Sequence, residues 1–383
     1  MKLIINAAGI CATGPTQVAI SFIYECIAFN QNEYHVFLSE TVSKEINKNH
    51  YPPNFIFYEI PWHPMHDGIL HSFLSRKLLR KYTAKIHPDV VFSVFGPSYW
   101  IPGPPHLQGY AQAHYVYPDS PFFHQISFNK HLKWAFIRFI HTYAFKYCGN
   151  YFVCETTDIS GRVSKLLNIP NSRVYTVTNT HSSVYSNPSI TEDNLLSKKQ
   201  SNEFRFLTLC SYMTHKNLKI LNLLVPILKT KIPDWKIVFI LTIDDVNFNQ
   251  SFTSEAKNSI INLGRVSVDK CPQLYSECDA LFLPTLLECF SANYPEAMIM
   301  RKPILTSDLP FAKAVCGDAA LYFDPLNVED IALKISLIIS DALLRSNLIE
   351  KGEKKLKEFD TANSRAIKYL NICKEIAIRS VNV

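Results

Sequence analysis

No C-x-x-C pair occurs among the ten cysteines of this 383-residue chain, and no Cys/His cluster has zinc-ligand spacing. That excludes a zinc ribbon and a thioredoxin-type redox centre. Most cysteines sit in apolar contexts, such as Val153-Cys154 and Leu209-Cys210, where the thiol behaves as a small buried hydrophobe. Such usage points to a reducing cytoplasm. No run of 18 or more apolar residues is present, so no spanning helix is expected. The opening Met1-Lys2-Leu3-Ile4-Ile5-Asn6 is too short, and too soon broken by Asn6 and Gly9, for a signal peptide core. It reads as a first strand. No repeat of solenoid length is visible. A dinucleotide fingerprint G-x-G-x-x-G is also missing. The glycine-spaced run Gly9 to Thr16 places Pro15 where a phosphate loop needs lysine, which disfavours a nucleoside-triphosphate site. Charge of either sign is scarce in excess: 39 Lys and Arg against 33 Asp and Glu, a net of +6. That balance suits anionic small molecules or a membrane surface and makes no case for nucleic acid.

What is present is enough apolar material for two cores. Single cores stop growing at roughly 250 to 300 residues, and this chain is 47% hydrophobic and 13% aromatic. Strand-like and helical patterns alternate from end to end. Strands are expected at Lys2–Asn6, Tyr34–Leu38, Asp89–Ser93, Gln108–Ala113, Tyr151–Cys154 and Val174–Val177. Later ones are expected at Phe204–Leu209, Lys236–Leu241, Ile260–Leu263, Ala280–Leu283, Pro303–Thr306 and Ala320–Phe323. Helical patterns cover Gln17–Phe29, Leu70–Ile86, Phe128–Lys146 and Thr361–Ile378. The alternation predicts an α/β protein with parallel sheets covered by helices and ligands at the C-terminal strand ends. A polar stretch, Asn187–Glu203, reads as a linker between two halves.

The run Glu288-Cys289-Phe290-Ser291-Ala292-Asn293-Tyr294-Pro295-Glu296-Ala297-Met298 follows the strand-like Ala280–Pro284 and leads into helical sequence. One carboxylate therefore sits in a strand-to-helix loop and a second in the first helical turn. Backbone N–H groups near a helix start favour anions. A ligand carrying both hydroxyls and phosphate, such as a nucleotide sugar, suits that arrangement. The competing reading is a capping box between Asn293 and Glu296.

This spacing of two glutamates, with Arg301-Lys302-Pro303-Ile304-Leu305-Thr306-Ser307 after it, resembles the signature of family 4 glycosyltransferases. The resemblance implies a GT-B fold: two Rossmann-like, doubly wound α/β domains facing across a cleft. The expected division is an acceptor-side domain over residues 1–187, a linker over 188–203 and a nucleotide-sugar domain over 204–360. A helix over 361–383 would return to the first domain. The implied activity is retaining transfer of a hexose from a nucleotide diphosphate sugar to a glycan or lipid-linked acceptor. Bacterial surface-polysaccharide enzymes are the members this chain is similar to.

By the same resemblance Glu288 lies by the donor sugar and Glu296 binds the ribose hydroxyls. Phe290, Ser291 and Ala292 belong to the donor loop. The segment ending Thr214-His215-Lys216-Asn217 resembles the family's Lys-Asn loop, which gives Lys216 a place on the pyrophosphate as negative charge grows there. The arginine usual in that loop is absent, with Cys210 or Ser211 in its position, so Lys216 or Arg265 takes its part. Arg265 and Val266 match a loop that packs on the base. His114 matches the histidine of the family's His-Asp element, although Tyr115 replaces the aspartate. Gly14 matches a glycine loop on the acceptor side, or else is only a tight turn. Family members usually have Gly-x-Pro in place of Arg301-Lys302-Pro303, and glycine at Cys289 and Ser291, which implies a differently shaped sugar pocket.

No D-x-D pair occurs, so the metal clamp of the other main glycosyltransferase architecture is missing and neither metal nor cofactor is expected. Two readings of other classes stay open: sugar-nucleotide epimerisation on the same fold, and nucleotide-sugar binding without turnover. The basic helices around Arg76-Lys77-Leu78-Leu79-Arg80-Lys81 and Lys130–Arg138 fit peripheral contact with an anionic membrane, or ordinary surface helices. The expected location is the cytoplasm, with the inner face of the cytoplasmic membrane left open.

Overall fold

The computed structural model describes residues 1–188, 190 and 194–381. The linker expected over 188–203 thus falls partly outside the described residues, at 189 and 191–193, as do 382 and 383 of the expected terminal helix. Contacts divide the chain into two compact units. One comprises Met1–Val116, Ser127–Asn179 and Asp360–Val383, the other Tyr117–Ile126 and Thr180–Phe359.

The first unit holds seven strands: β1 Lys2–Ala7, β2 Glu33–Leu38, β3 Phe55–Glu59, β4 Val90–Ser93, β5 His106–Gly109, β6 Tyr151–Cys154 and β7 Val174–Thr176. They lie in the order β3-β2-β1-β4-β5-β6-β7, and every pairing is parallel. β1 and β4 are buried on both faces, which is why they read as unbroken apolar runs. The sheet's core also takes in the helix Ala362–Val381, whose Ala366, Tyr369, Cys373 and Ile376 recur at three- and four-residue spacing. This helix starts where Asp360 accepts from the Thr178 hydroxyl at 2.9 Å, and Arg365 donates to Asn179 and Ser21.

The second unit holds β8 Glu203–Thr208, β9 Lys236–Leu241, β10 Ile260–Asn262, β11 Ala280–Leu283, β12 Ile304–Ser307 and β13 Ala320–Phe323. Their order is β10-β9-β8-β11-β12-β13, again parallel throughout. Helices here are capped by residues suited to it. Asn327 accepts from Glu329 and Asp330 N–H, both at 3.1 Å, at the start of Val328–Ser340, and Asp341 accepts from Leu344 N–H at 2.8 Å. Both sheets are doubly wound α/β layers of Rossmann type.

Several elements differ from expectation, among them the helix expected over Gln17–Phe29, which is Thr13–Glu25. The strand predicted over Gln108–Ala113 is His106–Gly109, and Ala113–Val116 is a helical turn. At its last residue, Gly109, the backbone passes so close to Val94 that a Cβ would lie 1.9 Å from that carbonyl oxygen, so only glycine fits. Edge strand β3 was not anticipated. It is short, preceded by Pro52-Pro53, and pairs on one side only, with β2.

Candidate active site

In the second unit strand order reverses between β8 and β11, which are hydrogen-bonded neighbours. Loops leaving the C-terminal ends of two such strands diverge and open a crevice, the place where doubly wound sheets bind ligands. Residues 209–217 form one of these loops and residues 284–292 the other. Across them the ammonium of Lys216 meets the carboxylate of Glu288 in an ion pair, with the two side chains 18% and 9% exposed. Burial pulls the Lys216 pKa down, but the Glu288 carboxylate outweighs it and holds the value above its ordinary one.

Backbone contacts fix this pair. Lys216 closes a short 3₁₀ turn, Thr214–Lys216, which ends at Asn217 with φ 55°. Asparagine tolerates that left-handed conformation better than most residues. Its side-chain amide donates to the Pro325 carbonyl at 2.9 Å. Leu286 N–H donates to the His215 carbonyl at 2.8 Å, tying the two loops together. Burial, and then the adjacent Lys216 charge, push His215 down to about 4, so its imidazole is neutral. Burial pushes the Cys210 thiol up to about 11, with Lys216 pulling it down and Glu288 pushing it up.

Glu296 lies in the helix Asn293–Ile299. The capping box is not made: Asn293 is the first helical residue, and its amide donates to the Leu209 carbonyl at 2.8 Å. The Glu296 carboxylate instead accepts from the Tyr275 hydroxyl at 3.3 Å and from Tyr185. Burial raises this carboxyl to about 7, against the lowering pull of the two hydroxyls. Burial and the nearby Glu296 charge in turn push both tyrosines well above their ordinary range.

The remaining candidates lie on several elements. Ser291 is buried, Phe290 and Ala292 are half-buried, and Ser211 is exposed. Arg265 is exposed and Val266 half-buried, beyond β10, with β9 between that strand and β8. Gly14 and His114 belong to the first unit. Gly14 lies in the first turn of the helix Thr13–Glu25, so it makes no tight turn. His114 sits in the turn Ala113–Val116 with its ring stacked on Trp134, centroids 4.1 Å apart.

Sequence reading missed Tyr185 and Tyr275 as partners of Glu296. It also missed Ser120, whose hydroxyl donates to the Leu286 carbonyl at 2.6 Å beside the Glu288 loop. Nothing local marks these residues, because each contact joins distant segments. Among the described residues no three His, Cys, Asp or Glu side chains converge as a metal site, and no helix is long and apolar enough to cross a membrane.

The model of the family described as glycosyl transferases group 1 matches residues 191–355. O-antigen chain mannosyltransferase RfbU of Salmonella typhimurium is 23% identical over 237 residues, covering 61% of this chain and 62% of that protein. The chain spans less than two thirds of the length of the curated relatives it matches. Among solved structures, a glycosyltransferase of Rickettsia africae superposes with a TM-score of 0.71 at 16% identity, covering 98% of each chain. HepE of Anabaena, solved with UDP and glucose, gives a TM-score of 0.67 at 15% identity, covering 97% of this chain and 99% of that one. Residues 191–355 thus resemble the glycosyl transferases group 1 family, and the fold of the chain is GT-B.

Proposed function

We propose that this protein transfers a hexose from a nucleotide diphosphate sugar to a glycan or lipid-linked saccharide, with retention of configuration and without a metal ion. One observation carries the reading: the Lys216 ammonium and Glu288 carboxylate meet where strand order reverses between β8 and β11, with Glu296 on the helix that follows. When the sugar–phosphate bond breaks, negative charge grows on the departing diphosphate, and a preorganised lysine stabilises it without reorganisation at that moment. Arrival of that phosphate gives Lys216 a second anion and frees Glu288 to accept from the sugar hydroxyls. Glu296 accepts from the ribose hydroxyls, beside Phe290, Ser291 and Ala292. Ser211, Arg265 and Val266 complete the nucleotide side. His114 on the donor sugar and Gly14 on the acceptor keep the roles that the family resemblance gives them.

A hexose donor and a bacterial surface polysaccharide are favoured by two similarities. The Salmonella relative is named as an O-antigen chain mannosyltransferase, and the Anabaena structure contains UDP and glucose. Contact with an anionic membrane surface belongs to the same reading. The test is incubation with UDP-, GDP- and ADP-hexoses and a set of saccharide acceptors, followed by mass spectrometry. Addition of one hexose, with the donor's anomeric configuration kept by NMR, is expected. A new nucleotide sugar without acceptor addition would favour epimerisation, and binding without any turnover would favour a carrier.

A further inference from the structure

A cavity of about 490 Å³ opens in the second unit, at the opposite end of its sheet from the Lys216–Glu288 crevice. Glu203 and Phe204, which begin β8, line it, as do Asp279 before β11 and Lys302 before β12. Parallel strands put all of these at N-terminal strand ends, so roughly 17 Å of β8 separates the cavity from the crevice. The rest of the wall comes from the junction of the helices Val328–Ser340 and Ala342–Leu356, through Ile339, Ala342 and Arg345. Pockets that hold small organic ligands run from about 300 to 1,000 Å³, so the size is ample.

Its charges are unevenly matched. Lys199, Arg301, Lys302 and Arg345 line it against the carboxylates of Glu203 and Asp279. Both carboxylates are already engaged. Glu203 pairs with Arg205 at 2.6 Å and Lys236 at 3.1 Å, while Asp279 pairs with Lys199 at 2.5 Å and accepts from the Arg205 N–H at 2.8 Å. Arg301 pairs with Glu353. Among the described residues Lys302 and Arg345 have no carboxylate partner. The Lys302 ammonium reaches only the Ser276 carbonyl, at 3.5 Å, and burial lowers its pKa, with Asp279 pulling it back up. Arg345 donates through Nη1 to the Ile338 and Ile339 carbonyls, at 2.6 and 2.8 Å, which fixes its guanidinium on the end of Val328–Ser340. Its other edge, Nε and Nη2, has no hydrogen bond among the described residues. That edge is a planar pair of donors, the shape that meets two oxygens of a phosphate.

Two uncompensated cations call for an anion of nearly two charges. A phosphate monoester carries roughly −1.5 to −2 near neutrality, whereas a carboxylate brings only one. The cavity is larger than phosphate alone needs, and its remaining lining suits a sugar ring. Trp235, 37% exposed and edge-on to Phe204, offers an apolar face, and the Ser201 and Ser346 hydroxyls are partners for ring hydroxyls. We propose that this cavity is a second ligand site that takes a hexose phosphate, its phosphate on Arg345 and Lys302 and its ring beside Trp235. The site goes beyond the transfer reaction and does not rest on it.

Isothermal titration of the full chain with mannose 6-phosphate, inorganic phosphate and mannose tests this. Mannose 6-phosphate should bind more tightly than either of the others. Lys302→Met and Arg345→Lys should each weaken it by roughly 10- to 100-fold, the loss expected for a charge-assisted hydrogen bond. Saturating UDP-glucose, a probe for the crevice, should leave the affinity unchanged. Circular dichroism melts establish that the variants fold. Lys302→Met keeps the aliphatic stem, so it decides the matter if Arg345→Lys loosens the helix end. Failure of the unaltered chain to bind mannose 6-phosphate, or unchanged affinity in both variants, would overturn the site. Displacement by UDP-glucose would overturn it by placing the phosphate in the crevice. Equal affinity for inorganic phosphate and mannose 6-phosphate would overturn the sugar phosphate as its ligand.

Discussion

The ammonium of Lys216 rests against the carboxylate of Glu288, across 72 residues of chain and two adjacent strand ends. Each charge is largely buried, and each is compensated chiefly by the other. The two charges therefore neutralise each other locally. A diphosphate entering beside Lys216 competes with Glu288 for the ammonium, and Glu288 then turns to whatever hydroxyls the ligand brings.

Removing one partner strands the other in a poorly hydrated place. Lys216→Met should cost about 3 kcal/mol of stability in urea denaturation, since breaking a buried pair leaves an uncompensated charge. Glu288→Gln should also destabilise. The double variant Lys216→Met/Glu288→Gln should recover most of the loss, because no lone charge remains, while transfer stays abolished. Strictly additive losses in the double variant would show that the two groups are not energetically coupled.

Glu296 links donor binding to pH. Its carboxyl titrates at about 7 through burial, so the free protein holds it largely protonated below that pH. If the ionised form accepts the ribose hydroxyls, affinity for a nucleotide sugar should rise as pH climbs through about 7 and level off above it. Below that point it should fall by about tenfold per pH unit. A nucleotide sugar is the suitable probe, because its diphosphate does not titrate near neutrality. The same group acts oppositely on the free fold. Its contribution to stability is complete below its ordinary value of 4.5 and is lost as pH rises through about 7. Glu296→Gln should flatten both profiles, as read by isothermal titration and by thermal melts. A pH-independent affinity in the unaltered protein would remove Glu296 from the ribose.

Arg301 occupies a glycine position. The helix Asn293–Ile299 ends with Arg301 N–H bonded to the Met298 carbonyl at 3.1 Å and Lys302 N–H to the Ala297 carbonyl at 2.9 Å, a Schellman motif. Arg301 carries the left-handed φ of 55°. Its side chain, 67% exposed, pairs with Glu353, and exposed pairs contribute little. Arg301→Gly should therefore raise stability by about 0.5–1 kcal/mol in denaturant titration, by relieving left-handed strain. A loss of stability would mean that the Glu353 pair outweighs the backbone.

Much of the architecture was legible because parallel strands buried on both faces announce themselves. Ala280–Leu283 and Tyr151–Cys154 were read with the bounds they have. The strand expected over Gln108–Ala113 lies at His106–Gly109 because its bounds follow from pairing with β4 and β6, which local pattern does not carry. Lys216 and Glu288 are read from two separate motifs as candidates only. Their pairing depends on β8 lying beside β11, which alternation alone does not specify. Ser120 reaches Leu286 over 166 residues, and the hydroxyls on Glu296 come from Tyr185 and Tyr275, so no window of sequence holds either arrangement. The basic helix Phe128–Cys148 is legible from its pattern, but which of its faces stays exposed is not, because apolar periodicity looks the same whether a face is buried or open.

The most direct measurement is steady-state hexose transfer by the purified protein in excess EDTA, for the unaltered chain and for Lys216→Met and Glu288→Gln. Undiminished turnover with EDTA is expected in the unaltered chain. Each variant should fall on the order of 10²- to 10³-fold, since each removes a preorganised charge from the reacting centre. Activity abolished by EDTA and restored by Mn²⁺, or full turnover in both variants, would contradict a metal-free transfer built on the Lys216–Glu288 pair.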